Sequence, residues 1–135
     1  LKWVTPQSQN KQKLDEEIKY LKEMENLLKT DVSNKIIYTH YSFFSVILGE
    51  NVNSPSRWFP QDGSAFPISG DKFFNDYRKL LIAIILKKDI KNVYVFKDVS
   101  ENMFTDYINT NCINKISDNK NYKKFKINRN CKELN

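Results

Sequence analysis

Apolar positions at helical spacing define the first element of the chain. Between residues 10 and 30 large apolar side chains recur every three or four positions, and Lys, Glu and Asn occupy most positions between them. The recurring apolar positions are Leu14, Ile18, Leu21, Met24, Leu27 and Leu28. This spacing predicts an amphipathic helix over residues 10–30.

Two short runs rich in β-branched and aromatic residues predict buried strands. They are Lys35–Thr39 and Asn92–Lys97, and both have the length and composition of strands covered on two faces. Helical patterns lie between them: a short one over Phe43–Leu48 that Gly49 would end, and a longer one from residue 71 to residue 88 with Asp71 as its cap. Two strands separated by helices predict a parallel pair joined by a crossover.

The last part of the chain alternates around a polar turn. After a short helix that Ser100 opens, Cys112–Ser117 and Tyr122–Ile127 flank an Asp-Asn-Lys-Asn turn, which predicts an antiparallel hairpin. The whole order predicts an α/β fold, a small three-layer Rossmann-like domain with a short, mostly parallel sheet and a C-terminal β-hairpin. A chain of 135 residues fits one domain over residues 1–135.

Residues 49–70 differ in composition from the rest of the chain. They hold all three glycines and three of the four prolines, with several aromatic residues among them. Long loops are uncommon in compact domains and are usually functional or disordered. The aromatic content favours an ordered loop that packs its own side chains over the end of the sheet.

Candidate chemistry is concentrated just after the first strand. His40 and Tyr41 stand where open α/β sheets bind ligands, beyond the carboxyl end of a strand. His40 with Ser42 offers an acid/base and a nucleophile, but the Gly pattern of a nucleophile elbow is absent. Ser42 as a helix cap needs no further assumption, so we assign no catalytic residue. No cofactor is implied.

Arg57 and Trp58 stand between Pro55 and Pro60 in the loop. An Arg beside aromatic side chains binds phosphate or stacks on a sugar ring. The alternative is a rigid loop in which Trp58 fills the core and Arg57 satisfies backbone carbonyls. His40, Tyr41, Arg57 and Trp58 are therefore the ligand-binding candidates.

The positive charge is concentrated at the C-terminal end. Residues 115–135 carry seven Lys or Arg and two acidic residues, and the chain as a whole has a net charge of +6. Such a segment is either a solvated edge hairpin guarded by lysines or a surface for nucleic acid or anionic lipid. Lysine far outnumbers arginine, which argues against sequence-specific DNA binding.

Cys112 and Cys131 are the only cysteines, and His40 is the only histidine. This inventory argues against a metal cluster, and we assign no metal site. A hairpin between the two cysteines would bring its ends together and place them within disulfide reach. We favour that disulfide, which implies an oxidising, extracytoplasmic location, over two free thiols in a cytosolic protein.

Several short motifs resemble the soluble C-terminal domain of polytopic glycosyltransferase-like membrane proteins, those related to dolichyl- or polyprenyl-phosphate-mannose mannosyltransferases. The similarity covers roughly residues 14–132. The motifs are a strand running into Tyr38-Thr39-His40-Tyr41-Ser42-Phe43-Phe44, then Asn53-Ser54-Pro55-Ser56-Arg57-Trp58, Phe66-Pro67, Asp76-Tyr77, Val93-Tyr94-Val95-Phe96, Asn111-Cys112, Tyr122-Lys123-Lys124-Phe125-Lys126-Ile127 and Cys131.

This resemblance implies a fragment of a longer, membrane-anchored chain whose catalysis lies in a preceding membrane bundle. The domain itself would be non-catalytic and would face the periplasm or outside. It would pack on the membrane portion or help position acceptor, with the loop around Arg57 and Trp58 as its contact surface. A basic surface there suits anionic lipid or a lipid-phosphate sugar. The alternatives are a cytosolic nucleic-acid- or anion-binding module using the basic hairpin, and a small hydrolase using His40 and Ser42.

Overall fold

The computed structural model describes residues 11–56 and 66–134, and at residues 11, 12 and 133 it describes the backbone alone. The helices are α1 (Lys11–Thr30), α2 (Phe44–Leu48), α3 (Phe74–Lys87) and α4 (Asn102–Thr105). The strands are β1 (Lys35–Tyr38), β2 (Asn92–Phe96), β3 (Ile113–Asp118) and β4 (Tyr122–Ile127), with 3-10 turns at Thr110–Cys112 and Lys132–Leu134. All the predicted elements are present within about two or three residues of their expected bounds.

The chain divides into two compact units, Leu1–Val32 and Ser33–Asn135. The described part of the first unit is α1, which confirms the helix predicted from apolar spacing. On its surface Lys29 and Glu25, one turn apart, form an ion pair of 2.6 Å. The second unit contains the sheet and every candidate site residue that the structure describes.

The sheet of the second unit has the strand order β1-β2-β4-β3. β1 and β2 are parallel, as predicted, and Ile36 stands opposite Val93. β4 runs antiparallel to both β2 and β3. The expectation of a mostly parallel sheet is therefore wrong, because the hairpin joins the sheet beside β2 and makes two of its three pairings antiparallel. The fold is α/β with an open, mixed, four-stranded sheet and a C-terminal hairpin.

The main core is formed by side chains of the sheet together with side chains of α3 and α4. Its fully or nearly fully buried side chains are Ile36, Tyr38, Leu81, Ile85, Val93, Val95, Phe104 and Phe125. On β2 the alternate side chains Tyr94 and Phe96 are also buried, so this strand is covered on both faces. Such double burial explains why its sequence reads as a continuous apolar run rather than an alternating one.

The ends of the helices depart from the predicted caps in two places. Gly49 ends α2 in the left-handed conformation at φ 65°, as its position predicted. Ser42 does not cap α2, since the helix begins at Phe44 without a side-chain cap. Asp71 does not cap α3 either, because its carboxylate instead accepts the backbone N–H of Ile68 at 2.8 Å. Ser42 lies one residue before the N-cap position of α2, and Asp71 lies two residues before that of α3, so neither side chain acts as an N-cap.

Candidate functional site

One carboxylate connects the loops that follow the two parallel strands. Thr39 follows β1 and its Oγ1 donates to Asp98 Oδ2 at 2.9 Å, and the backbone N–H of His40 donates to the same oxygen at 2.6 Å. Thr39 Oγ1 in turn accepts the backbone N–H of Tyr41 at 3.1 Å. Because hydrogen bonds to a carboxylate are stronger than neutral ones, this arrangement holds the first turn after β1 in place.

Asp98 was missing from the predicted site residues. A weak signal was available, since it is an acidic residue two positions after a buried strand, at the edge where parallel strands end together. Its Oδ1 atom is buried and has no hydrogen-bond partner among the described residues. Both hydrogen bonds from the turn after β1 therefore go to the same oxygen of Asp98, Oδ2.

His40 and Ser42 do not form a nucleophile–base pair. His40 is exposed, and its hydrogen bond to Asp98 uses the backbone N–H. The backbone N–H of Ser42 donates to the carbonyl of His40 at 3.1 Å, and the backbone carbonyl of Ser42 accepts from Ser45 Oγ at 3.0 Å. Without a hydrogen bond between the two side chains, the geometry gives no support to a hydrolase.

Tyr41 lines a cavity of about 210 Å³ beside the end of β1, which we name the hydroxyl pocket. Apolar side chains of Ile37 and Val52 and the amide of Asn51 contribute to it. The rest of its lining consists of residues that carry hydroxyl groups: Thr39, Tyr41, Ser42, Ser45, Ser54 and Ser56. The pocket thus combines hydrogen-bonding groups with apolar surface, as small-molecule sites do.

The hydroxyl groups of the pocket are not equally available. Thr39 Oγ1 already donates to Asp98 and accepts from Tyr41, so it is committed to the loop. Ser45 Oγ donates to the carbonyl of Ser42. Ser54 Oγ is buried and has no hydrogen-bond partner among the described residues. Buried polar atoms are nearly always paired in folded proteins, so Ser54 stands out in this lining.

The segment that carries Ser54 is fastened along β1. The backbone N–H of Ile37 donates to Val52 O at 3.0 Å, and Asn53 Nδ2 donates to Lys35 O at 2.9 Å. The side chain of Lys35 is only 2% exposed and pairs with Glu50 Oε1 at 2.7 Å. These contacts fix the wall of the pocket that this segment forms, and the expectation of an ordered loop over residues 49–70 stays a prediction.

Arg57 and Trp58 lie outside the described residues, so their proposed roles stay predictions. The described chain reaches Ser56, which lines the hydroxyl pocket. Of the four ligand-binding candidates, the structure places Tyr41 in the pocket lining, whereas His40 lies outside it. The serines of the pocket were not predicted as ligands, because a serine in a loop is indistinguishable by sequence from a local capping residue.

The basic hairpin is partly neutralised by an acidic residue of the preceding segment. Glu101 Oε2 pairs with Lys115 Nζ at 3.0 Å, and its Oε1 pairs with Lys123 Nζ at 3.1 Å. Lys124 Nζ lies 4.9 Å from the ring centroid of Tyr94, in cation–π geometry. These contacts engage three lysines of the basic segment, which is one candidate for a nucleic-acid surface. Lysines that already pair within the protein are less available to bind the phosphates of a nucleic acid.

Cys112 and Cys131 form the predicted disulfide. Cys112 is buried beside the start of β3, and the backbone N–H of Asn128 donates to its carbonyl at 2.8 Å. The Cα atoms of the two cysteines are 5.2 Å apart, within the usual range for disulfides. The bond therefore joins the two ends of the hairpin, as the spacing of the cysteines indicated.

Clusters of metal-ligating side chains and membrane-spanning helices are absent from the part of the chain that the structure describes. Within residues 11–56 and 66–134, no three His, Cys, Asp or Glu side chains stand close enough together to hold a metal ion. None of the helices in that same part has both the length and the apolar character needed to cross a membrane. Comparisons with protein-family models, with curated proteins and with solved structures found no match to this chain.

Proposed function

We propose that the chain is a non-catalytic, extracytoplasmic domain of a membrane glycosyltransferase. In this proposal it packs on the catalytic membrane bundle or positions the acceptor. The motif resemblance supplies the enzyme class. The Cys112–Cys131 disulfide supports an oxidising compartment, and it is the observation that carries the proposal.

The disulfide supports export because of where such bonds persist. Structural disulfides form in oxidising compartments and are rare in cytosolic proteins, whose thiols are kept reduced. This one joins residues 19 positions apart and closes a hairpin whose outer strand has mostly exposed side chains. A hairpin with so exposed an outer strand gains from a covalent closure, because the bond limits the conformations of the unfolded chain.

The arrangement after β1 supports a binding or packing role rather than a chemical one. Asp98 serves to hold the loop, and His40 and Ser42 are not paired through their side chains. The hydroxyl pocket beside them offers neutral hydrogen-bonding groups and no described charged residue in its lining. Such a lining is suited to holding a polar group in position, not to activating it.

A contact surface for the membrane portion is proposed on α2. Val46 and Ile47 of this five-residue helix are exposed, as is Phe43 immediately before it, and Val46 is 82% exposed. Exposed apolar clusters of this kind mark interaction sites. The membrane bundle of the same protein is the proposed occupant, and the Arg57–Trp58 segment stays a second proposed contact.

The layering of helices on the two faces of the sheet is also part of the proposal. We propose a three-layer, loosely Rossmann-like arrangement in which helices cover both faces of the parallel pair. The burial of Val93 and Val95 on one face of β2, and of Tyr94 and Phe96 on the other, supports it. An experimental structure in which one face of β2 is open to solvent would contradict this arrangement.

The test is the thiol state of the native gene product in its own cells. Acid-quenched cells are treated with a polyethylene-glycol maleimide before and after reduction, and the gel shift counts free thiols. We expect that neither Cys112 nor Cys131 is labelled before reduction. After reduction both should be labelled, and the gel band should shift by the mass of two maleimide groups. A Cys131→Ala variant, which keeps one free thiol in both conditions, calibrates the assay. Two free thiols before reduction would overturn the proposed export.

The enzyme class needs two separate measurements. The coding sequence upstream of Leu1 should encode several apolar spans of about 18 residues or more, with an acidic pair in the first outward loop. The full-length protein should transfer sugar from a polyprenyl-phosphate donor, and the 135-residue chain alone should not. Absence of such spans would refute the glycosyltransferase assignment, and turnover by the 135-residue chain would refute the non-catalytic role.

A further inference from the structure

We infer that the hydroxyl pocket binds one pyranose ring of a neutral sugar. The inference extends the proposed acceptor-positioning role by naming a ligand class and a site, and in that respect it rests on the proposed function. Its evidence is the chemistry of the lining, the size of the cavity and the unpaired Ser54 hydroxyl.

The lining favours a neutral ligand with many hydroxyl groups. Six of its residues carry hydroxyls, Asn51 adds a carboxamide, and no charged side chain is among the described lining residues. Anionic ligands are usually held by Arg, Lys or converging backbone N–H groups, and cations by carboxylates. A hydroxyl both donates and accepts, so a surface of hydroxyls complements another set of hydroxyls in many relative orientations.

The pocket also contains the apolar surface that a sugar ring needs. A pyranose has flat C–H faces between its polar edges, and aromatic side chains offer a flat surface of matching kind. Tyr41 lines the pocket, and its ring is steadied by Phe43, whose centroid is 5.6 Å away. Ile37 and Val52 add aliphatic surface from the strand and from the segment that pairs with it.

Ser54 identifies the wall where a ligand hydroxyl is expected to bind. Its Oγ is buried without a hydrogen-bond partner among the described residues, although most hydroxyls near it are engaged or more exposed. Leaving a buried polar group unpaired costs free energy that a ligand hydroxyl would recover. The neighbouring backbone bond from Ile37 to Val52 keeps this wall in place.

The volume limits the ligand to a single ring. The cavity is about 210 Å³, whereas pockets for drug-sized ligands begin at about 300 Å³. One pyranose is the size class that such a cavity accepts. Longer glycans would extend from the pocket into solvent, which suits a site that holds one residue of a polymeric or lipid-linked chain.

The test is a titration of the isotopically labelled 135-residue chain with methyl glycosides of mannose, glucose and galactose, followed by amide chemical shifts. We expect saturable shifts at residues 39–45 and 51–56 for at least one glycoside, with a Kd in the millimolar range typical of a single ring. Ser54→Ala should raise that Kd by about fivefold, the loss expected for one neutral hydrogen bond. Ser45→Leu, which fills the cavity, should abolish binding while the amide spectrum stays dispersed.

Ser69→Ala is the matched control, because Ser69 is exposed and lies outside the pocket lining. It should leave the Kd unchanged. Absence of saturable shifts up to about 100 mM glycoside, shifts confined to other surfaces, or equal Kd values for Ser54→Ala and Ser69→Ala would each overturn the inference. Tighter binding of mannose 6-phosphate than of the methyl mannoside would also overturn it, since the site would then recognise charge.

Failure of this inference and failure of the proposed function give different results. A chain that is disulfide-bonded in its cells but binds no glycoside loses the sugar pocket and keeps its extracytoplasmic assignment. A chain with free thiols in its cells that binds a glycoside through Ser54 keeps the pocket and loses the proposed export. The two measurements use different residues, so neither outcome masks the other.

Discussion

The two halves of the sheet are stabilised by different means. In the parallel half, both faces of β2 are buried, and the loops at its carboxyl end are joined through Asp98. In the hairpin half, β3 buries Ile113 alone among its six residues and carries a bulge between Lys115 and Ser117. Packing on both faces of β2 holds the first half, whereas the second half packs only one face, through residues such as Phe125, and adds a disulfide and surface ion pairs.

The difference explains where the hydroxyl pocket lies. A ligand site needs walls whose positions are fixed by groups other than the ligand, and the parallel half supplies them through β1, the Asp98 bonds and the Ile37–Val52 pairing. The hairpin has a mostly exposed outer strand and carries several exposed lysine side chains, and its ends are closed by the disulfide. Its main role in the fold is to cover one edge of β2.

Loss of the disulfide is expected to have the largest effect. Replacing Cys112 and Cys131 together with Ala should lower the free energy of unfolding by about 3 kcal/mol, because the bond no longer restricts the unfolded chain. The cysteines are 19 residues apart, a loop length for which that estimate applies. Urea unfolding monitored by circular dichroism measures the change, and hydrogen exchange should show the greater loss of protection in the hairpin.

The reduced native chain is the control for the disulfide experiment. Treatment with a non-thiol reductant should reproduce the midpoint of the double Ala variant, since both remove the same covalent restraint. Equal urea midpoints for the oxidised chain and the variant would show that packing holds the hairpin as well. If the double Ala variant lost hydrogen-exchange protection equally in β1 and in the hairpin, the two halves of the sheet would not differ in how they are stabilised.

Removal of the Asp98 carboxylate is expected to have the next largest effect, confined to the parallel half. Asp98→Ala leaves the Thr39 hydroxyl and the His40 N–H without their acceptor. Loss of a charged acceptor at a partly buried site should cost about 2 kcal/mol. Thermal unfolding measures the loss of stability. Faster hydrogen exchange at the His40 and Tyr41 amides would show that the loss lies in the turn after β1. Asp98→Asn keeps one acceptor oxygen and should cost less.

Asp76→Ala is the matched control for Asp98. Asp76 is exposed and pairs with Lys79 at 3.7 Å across the surface of α3, a contact worth less than about 0.5 kcal/mol in most proteins. If Asp98→Ala changed stability no more than Asp76→Ala does, the carboxylate would have no role in holding the loop.

The elements could be predicted from sequence because their signals are local. The apolar run of β2 reflects burial on both faces, and the alternation in β4 reflects one covered face. The arrangement of the hairpin could not be predicted in the same way. The pairing of Val93 with Phe125 joins segments more than thirty residues apart, and no periodicity within either strand specifies that partner.

The edge of the sheet beyond β1 was predicted as the candidate position, and that prediction stays untested as a ligand site. The polar residues after β1 directed attention to this edge, where Tyr41 lines the hydroxyl pocket. Asp98 lies 58 residues from His40 in sequence, so its contact depends on the parallel pairing. Ser54 is one of several loop serines, and only the folded chain shows that its hydroxyl is buried.

The smallest expected effect is a pH dependence in the hairpin half that comes from Glu101. The hydrogen bond from Lys115 lowers the pKa of Glu101, partial burial opposes this, and the hydrogen bond from Lys123 lowers it further. A carboxylate with a depressed folded pKa adds stability above its unfolded pKa of about 4.3, and that stability is lost as the pH falls through the folded value. Glu101→Gln should therefore cost less than about 1 kcal/mol at pH 7.

The difference between Glu101→Gln and the native chain should shrink towards zero as urea midpoints are measured at pH values below about 4. A Lys115→Met, Lys123→Met background is the control, because Glu101 has lost both partners there and its replacement should have a weaker pH dependence. A cost that stays constant from neutral to acid pH would mean that the Gln side chain disturbs packing instead. The hairpin would then depend on close packing as the parallel half does, and charge would contribute nothing to the contrast between them.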